Sequence, residues 1–316
     1  MLLKRPRENL ESIRRTLSKV PMPELPEVET VARGLRPAME GRRIVAVELR
    51  RKSLRYPLPR DFAARLLQRA VNSVGRRAKY VLVGLDSGET LLIHLGMTGR
   101  LTVLPASGKS RNLGEFYHEE AAGAGANGKH DHVVLSLDDG SRIVFTDPRR
   151  FGAMDIVRQG ADGSHRLLKV LGPEPLGNEF SSAHLAARFH GKKAPLKAAL
   201  LDQGVVAGLG NIYVCEALFR SGLSPKRRAG SLAKTKAGDP RLDSLVRNIR
   251  DILTEAIAAG GSTLQDFAAA DGASGAYQQR FLVYDREGEP CRRCRGPIKR
   301  IVQSGRSTFY CPACQK

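Results

Sequence analysis

Two groups of residues in this chain could do chemistry by type and spacing alone. The first is Cys291-x-x-Cys294, sixteen further residues, then Cys311-x-x-Cys314. Each CxxC turn presents two thiolates, and two such turns complete a tetrahedral zinc site with no position left for water, so the zinc is expected to be structural. A redox pair is the competing reading. The stretch between the pairs has Ser304-Gly305-Arg306 at its centre and reads as a β-hairpin finger with Arg306 at the turn. The second group is Pro23-Glu24, directly after Met22. If Met22 is the start and is removed, Pro23 becomes a free secondary amine. An α-amino group titrates nearer neutrality than lysine, so a useful fraction is unprotonated at cellular pH. Such an amine can attack a sugar C1′ and form an iminium ion. Glu24 can then move protons to the ring or to a departing group. Read without Met22, the same segment is simply a helix start.

Weaker signals accompany these. Arg76-Arg77-Ala78-Lys79-Tyr80, His94–Arg100 (HLGMTGR), Lys129–His132 (KHDH) and Asp147–Gly152 (DPRRFG) each place cations or a bulky wedge at a strand end or loop. Met97 and Phe151 are by default core residues, and His130 and His132 surface ones. No carboxylate or cysteine spacing supports a histidine metal site. Gly204–Tyr213 puts a glycine-rich turn before a helix, where backbone N–H groups can face an anion. Cys215 lies outside the cluster and reads as a small buried residue.

The elements that must carry these groups fall into blocks. Pro26, Glu27 and Glu29 suit a first helical turn, with a helix to about Gly34. From Ile44 to Val103 the pattern is strand-like, for example at Tyr80–Leu85 and Thr90–Leu95, and two more strands are expected at His132–Leu137 and Arg142–Thr146. Residues 105–128 are rich in Gly and Ala and read as a loop inserted between strands. After Gly172–Gly177 the apolar spacing turns helical over 181–190, 195–203, 211–221, 239–259 and 262–269. The expected organisation is a 1–22 extension, a 23–150 antiparallel β domain, a 151–175 linker, a 176–281 helical domain and a 282–316 finger. The fold class is therefore multidomain α+β.

Composition narrows the partner. The chain has 316 residues, 41% of them hydrophobic, enough for a packed core. Lys and Arg number 52 against 32 Asp and Glu, a formal charge of +20. A charge of that size points to a polyanion, whose counterions are released on binding. No apolar run approaches the roughly 18 residues of a membrane helix, and residues 1–21 lack the apolar core of a signal peptide. The expectations are a cytoplasmic location, no membrane and a nucleic-acid partner.

In this order, PELPEVET, RRAKY, HLGMTGR, KHDH, TDPRRFGA, GPEPL, GLGNIY, GGSTLQDF and the four-cysteine finger resemble the formamidopyrimidine-DNA glycosylase family from Met22 to Lys316. The resemblance implies an N-terminal β-sandwich, a helix-two-turn-helix domain and a zinc finger around damaged double-stranded DNA. It implies excision of oxidised purines (8-oxoguanine and formamidopyrimidines), then strand cleavage at the abasic site by β,δ-elimination. Pro23 would be the Schiff-base nucleophile and Glu24 the proton donor. Lys79 would be the proton donor for β-elimination and Arg306 for δ-elimination. His130, Arg149 and Lys192 would bind DNA, and Asn211 and Arg306 would grip the phosphate beside the lesion. Met97, Arg149 and Phe151 would fill the hole left by the flipped base, and Gly272–Arg280 would close over it. Two features depart from the family. With residues 1–22 attached, Pro23 is an amide, so the expected start is Met22. The 105–128 insertion threatens no named residue.

Three rivals remain. An endonuclease VIII-like enzyme for oxidised pyrimidines shares the proline chemistry, but usually begins PEGPE and lacks DPRRFG. A non-catalytic DNA binder on the same fold leaves the Pro-Glu pair behind a methionine unexplained. A zinc-ribbon subunit of the translation or transcription machinery leaves the β half unexplained.

Overall fold

The computed structural model describes residues 22–107, 111–113, 128–158, 165–234, 239–262 and 277–316. The chain enters helix α1 (Leu25–Met39) with Pro26 in its first turn and Glu27 beside the positive end of the dipole. The helix runs past Gly34 because Pro37 falls in its last turn. The bond lost there is the one to the carbonyl of Arg33, an exposed residue that water can serve.

Two antiparallel sheets follow. One is ordered β1 (Ile44–Leu49), β7 (Asp131–Leu137), β8 (Arg142–Thr146), β5 (Arg100–Leu104) and β6 (Arg111–Leu113). The other is ordered β2 (Val71–Arg77), β3 (Tyr80–Leu85), β4 (Glu89–His94) and β9 (Ala153–Arg158). In β3 every second residue (Val81, Val83, Leu85) is buried, the alternation expected of a sheet with one face on a core. Those residues meet Val31, Leu35, Phe62, Leu101, Leu135 and Phe145 in one apolar cluster. The expectation of a β-sandwich is met, with α1 packed along β2 and β3.

Two sequence expectations change. The 151–175 stretch opens with β9, whose Ala153, Met154, Ile156 and Val157 are buried, so the β body extends into the expected linker. The 105–128 stretch contains β6, which pairs with the edge of β5 at Leu101↔Leu113 through Val103↔Arg111. Backbone pairing, not apolar patterning, makes that strand. Residues 108–110 and 114–127 lie outside the described residues, as do the proposed helix after Ser262 and positions 272–276 of the expected capping loop. Positions 277–280 are described and form a 3-10 turn with Tyr277 buried.

The second body holds α3 (Ser182–Phe189), α4 (Leu196–Leu201), α5 (Asn211–Arg220) and α6 (Arg241–Ala258), after the short α2 (Phe62–Leu66) of the β body. Its core includes Leu25 of α1 and Cys291, Ile298 and Phe309 of the finger, so a single apolar cluster joins all three expected units. The finger hairpin is β10 (Lys299–Gln303) with β11 (Arg306–Tyr310), turning at Ser304 and Gly305, both at positive φ. Among the described residues no helix is long and apolar enough to cross a membrane.

Candidate active site

Glu24 stands where the β body, α1 and α5 meet. Its carboxylate accepts the N–H of Ile212 at 2.8 Å and of Tyr213 at 3.5 Å, across the first turn of α5. This is an anion on a helix N-terminus, with the acid and the helix supplied by different domains. Gly210 makes room: a Cβ there would lie 2.2 Å from the Glu24 carboxyl carbon. Gly208, at φ +82°, performs the same service for Leu25 and accepts its N–H at 3.2 Å. The glycine-rich turn before α5 thus receives a carboxylate of the chain itself.

Burial pushes the Glu24 carboxyl up to about 7, against the pull of the Lys79 charge and with a contribution from Glu27; the two backbone N–H groups pull it down. Glu27 anchors this corner. Its Oε2 accepts the Glu24 N–H at 3.1 Å. Its Oε1 accepts the Tyr213 hydroxyl at 2.6 Å and the N–H and hydroxyl of Ser262 at 2.7 and 2.8 Å. Pro23 is buried beside it, and Met22 is half-buried.

Lys79 reaches the same corner from the β2–β3 hairpin. Arg77 pairs with Tyr80, leaving Ala78-Lys79 as a two-residue turn with Ala78 at φ +52°. Glu174 holds that turn. It accepts from Arg76 and Arg77 at 2.8 Å each and from the Ala78 N–H at 2.6 Å. Burial lowers the Lys79 ammonium below the usual lysine value; Glu24 opposes this and Arg306 adds to it. Glu24, Lys79 and Arg306 therefore share one electrostatic field. His94 lies in it too. Burial, then the Lys79 charge, pushes its imidazole down to about 4, so the ring is neutral. Its Nδ1 accepts the Gly96 N–H at 3.0 Å, which leaves the proton on Nε2.

Arg306 sits exposed at the finger turn, as the spacing predicted. That hairpin is pinned to the helical body close to its turn through Ser307, whose carbonyl accepts from Asn211 Nδ2 at 3.0 Å and from Lys197 Nζ at 2.9 Å. Lys197 also donates to the Thr308 hydroxyl at 2.7 Å. Asn211 Oδ1 is buried without a partner among the described residues. Zinc–sulfur bonds of about 2.3 Å in a tetrahedron would place sulfurs about 3.8 Å apart. The four cysteine sulfurs lie within 4.8 Å of one another, with Cys291–Cys314 at 3.9 Å and Cys294–Cys311 at 3.4 Å. The donor set fits one structural zinc.

Met97, Arg149 and Phe151 come together on two adjacent loops. Gly96 packs so closely on the Phe151 backbone that a Cβ would lie 2.4 Å from its carbonyl carbon. Phe151 is 43% exposed, and the Arg149 guanidinium covers its ring at 4.7 Å. Met97 is half-buried beside them. His130 lies in the turn before β7, and its carbonyl accepts the Asp147 N–H at 3.0 Å. Lys192 stands apart, after α3, paired with Asp202 at 3.4 Å. Among the described residues no hydrogen bond joins it to Glu24 or Arg306. The supporting residues Glu27, Glu174, Lys197 and Glu216 escaped the sequence reading. Glu216 is buried in α5 and accepts three successive N–H groups, Leu282 to Tyr284, at 2.8–2.9 Å.

Comparison with known proteins identifies the family. Residues 22–154 match the formamidopyrimidine-DNA glycosylase N-terminal domain, and 171–268 match the H2TH domain of the same glycosylase. The chain belongs to the formamidopyrimidine-DNA glycosylase family. Residues 288–316 match the zinc finger found in FPG and IleRS. The formamidopyrimidine-DNA glycosylase of Ruegeria pomeroyi is 57% identical over 297 residues, covering 93% of this chain and all of that one. The MutM (Fpg) structure from Thermus thermophilus is 39% identical with a TM-score of 0.75, covering 93% of this chain and 98% of that one. The Lactococcus lactis Fpg complex with DNA containing an abasic site is 28% identical with a TM-score of 0.76, covering 93% and 99%.

Proposed function

We propose that this chain excises oxidised purines from duplex DNA and then cuts the strand at the resulting abasic site. The observation that carries the reading is Glu24: a buried carboxyl next to Pro23, held on the α5 N-terminus, with its pKa raised to about 7. At neutral pH such a group exists in both forms, so it can give a proton and take one back within a turnover. The amine of Pro23 attacks C1′ while the base leaves with a proton from Glu24. The N–C1′ adduct loses its N–H proton and opens its C1′–O4′ bond as O4′ takes a proton, and the resulting iminium acidifies the 2′ position. Lys79, desolvated by burial and therefore less basic than an exposed lysine, serves the proton transfers of β-elimination. Arg306 serves δ-elimination and, with Asn211, holds the phosphate beside the lesion. Met97, Arg149 and Phe151 occupy the gap in the stack. His130 and Lys192 add backbone contacts. Two solved relatives support this reading: a mutant Lactococcus lactis Fpg complexed with Fapy-dG-containing DNA, and Lactococcus lactis Fpg complexed with DNA containing an abasic site. The protein acts as a monomer on bacterial nucleoid DNA in the cytoplasm, with zinc holding the finger in shape.

The chemistry sets one condition. Pro23 bonded to Met22 has no free amine, so the reacting polypeptide starts at Pro23. Protein isolated intact with residues 1–22 is compared with protein that starts at Pro23, on a duplex with an abasic site. The free-amine form should cut the strand and the intact form should not. Equal cleavage by both would refute the proline mechanism.

A further inference from the structure

The proposed wedge residues are exposed loop tips, and exposed tips need something beneath them. We infer that Asp147 is the positioning residue that locks the three loops carrying Met97, His130, Arg149 and Phe151 into one rigid body. The inference rests on the wedge reading above.

Asp147 is 0% exposed. Both carboxylate oxygens and both backbone polar groups are engaged, each toward a different part of the site. Oδ1 accepts the Thr98 hydroxyl at 2.6 Å, the residue after Met97. Oδ2 accepts the Gly152 N–H at 2.7 Å, the residue after Phe151. Its N–H donates to the His130 carbonyl at 3.0 Å. Its carbonyl accepts from His132 Nε2 at 2.8 Å and from the Arg150 N–H at 3.2 Å. Thr98 closes the ring by accepting the Arg149 N–H at 3.2 Å on the oxygen that donates to Asp147. Met97 and Phe151 thus each adjoin a residue bonded to the Asp147 carboxylate, His130 accepts the Asp147 N–H, and Arg149 bonds the same Thr98 hydroxyl.

The arrangement also explains local sequence. Gly152 cannot carry a side chain, because a Cβ would lie 2.7 Å from the Phe145 ring and 2.9 Å from Asp147 Oδ2. Arg150 adopts φ +57°, a conformation costly for a non-glycine residue, which its N–H bond to Asp147 helps to hold. Charge-assisted bonds to buried donors are the strong class, and removing the acceptor leaves those donors unsatisfied.

The test separates positioning from plain stability. Single-turnover base excision from a duplex with 8-oxoguanine opposite cytosine needs the stack to be opened and filled. Cleavage of a single-stranded oligonucleotide with one abasic site does not. Asp147→Ala should slow the duplex reaction roughly 100-fold, the scale for a displacement of about an ångström, and leave single-strand cleavage unchanged. Asp147→Asn keeps an oxygen for Gly152 and should fall between Asp147→Ala and the parent. Thr98→Val, which disturbs packing less, should show the same split, and it decides the matter if Asp147→Ala does not fold. Equal losses on both substrates in Thr98→Val, or no loss on either, would overturn the inference. Phe151→Ala and Met97→Ala are the controls for the wedge itself. If they leave duplex excision untouched, the wedge reading fails and Asp147's role falls with it. If they slow it while Asp147→Ala and Thr98→Val do not, the inference alone fails.

Discussion

Glu24 is 3% exposed and takes its hydrogen bonds from backbone N–H groups of another domain; Phe151 is 43% exposed and stands on a loop of its own domain. The difference follows from the two tasks. Proton transfer at neutral pH needs a carboxyl moved away from its ordinary value, and burial does that only if the site is closed on every side. Hence the proposed chemistry sits at the junction of α1, α5 and the β2–β3 turn, where no single domain could build it. A wedge needs the reverse, a large apolar tip left in water and held from below. Here the support is Asp147, Thr98 and the close backbone contact at Gly96. The acidic wall should therefore answer to small changes in electrostatics, and the wedge wall to changes in shape.

Substitutions can sharpen or break that contrast. Glu24→Gln removes the proton donor and should lower the base-excision rate by about 10²- to 10⁴-fold in single-turnover assays, with unchanged DNA affinity by titration. Next, Gly210→Ala adds one methyl group where the Glu24 carboxyl now lies and should cost roughly 100-fold in the same assay, although Gly210 contributes no reacting group. A Gly210→Ala protein with parental activity would mean the carboxyl position is not critical.

The pH profile gives a further contrast. A carboxyl raised to about 7 keeps its proton below that value and loses it above. Excision that needs both the free amine of Pro23 and the acid form of Glu24 should have a bell-shaped profile, rising as the amine loses its proton and falling as Glu24 loses its own above about pH 7. A flat excision rate from pH 6 to 8 would contradict the acid role. The neutral His94, with its value near 4, should contribute no inflection in that range. On the wedge wall, Phe151→Ala should slow duplex excision by about 10-fold yet cost under about 1 kcal/mol of stability by denaturant unfolding, since the side chain is 43% exposed. The smallest effect is expected at Lys192, whose replacement by Ala should reduce the slope of log affinity against log salt by about 1.

Much of this was legible in the sequence because the chemistry is local there. The CxxC pairs bring four thiols together through two tight turns and one hairpin, and Lys79 and Arg306 sit at turns that short-range signals reveal. The supports were not legible. Glu174 reaches Arg76, Arg77 and Ala78 across nearly one hundred positions, and Glu24 reaches Ile212 across 188. A carboxylate that serves backbone N–H groups leaves no pattern in its own neighbourhood, so Glu27 reads only as a helix-start acid and Glu174 and Glu216 carry no signal of their own. Lys197 was missed for the same reason: a lysine in a helical segment looks solvated until its partners on the finger are known. The continuation of α1 past Gly34 and the strand β6 show the same limit, since solvent exposure and edge pairing settled them.

The central claim is that Pro23 is the nucleophile, and borohydride trapping tests it most directly. Protein expressed from its own gene is reacted with a duplex containing 8-oxoguanine opposite cytosine, reduced, digested and mapped by mass. One covalent DNA adduct is expected, on the nitrogen of Pro23 as the first residue of the reacting chain. An adduct on a lysine, Lys79 included, or no adduct from protein that has excised the base, would contradict it.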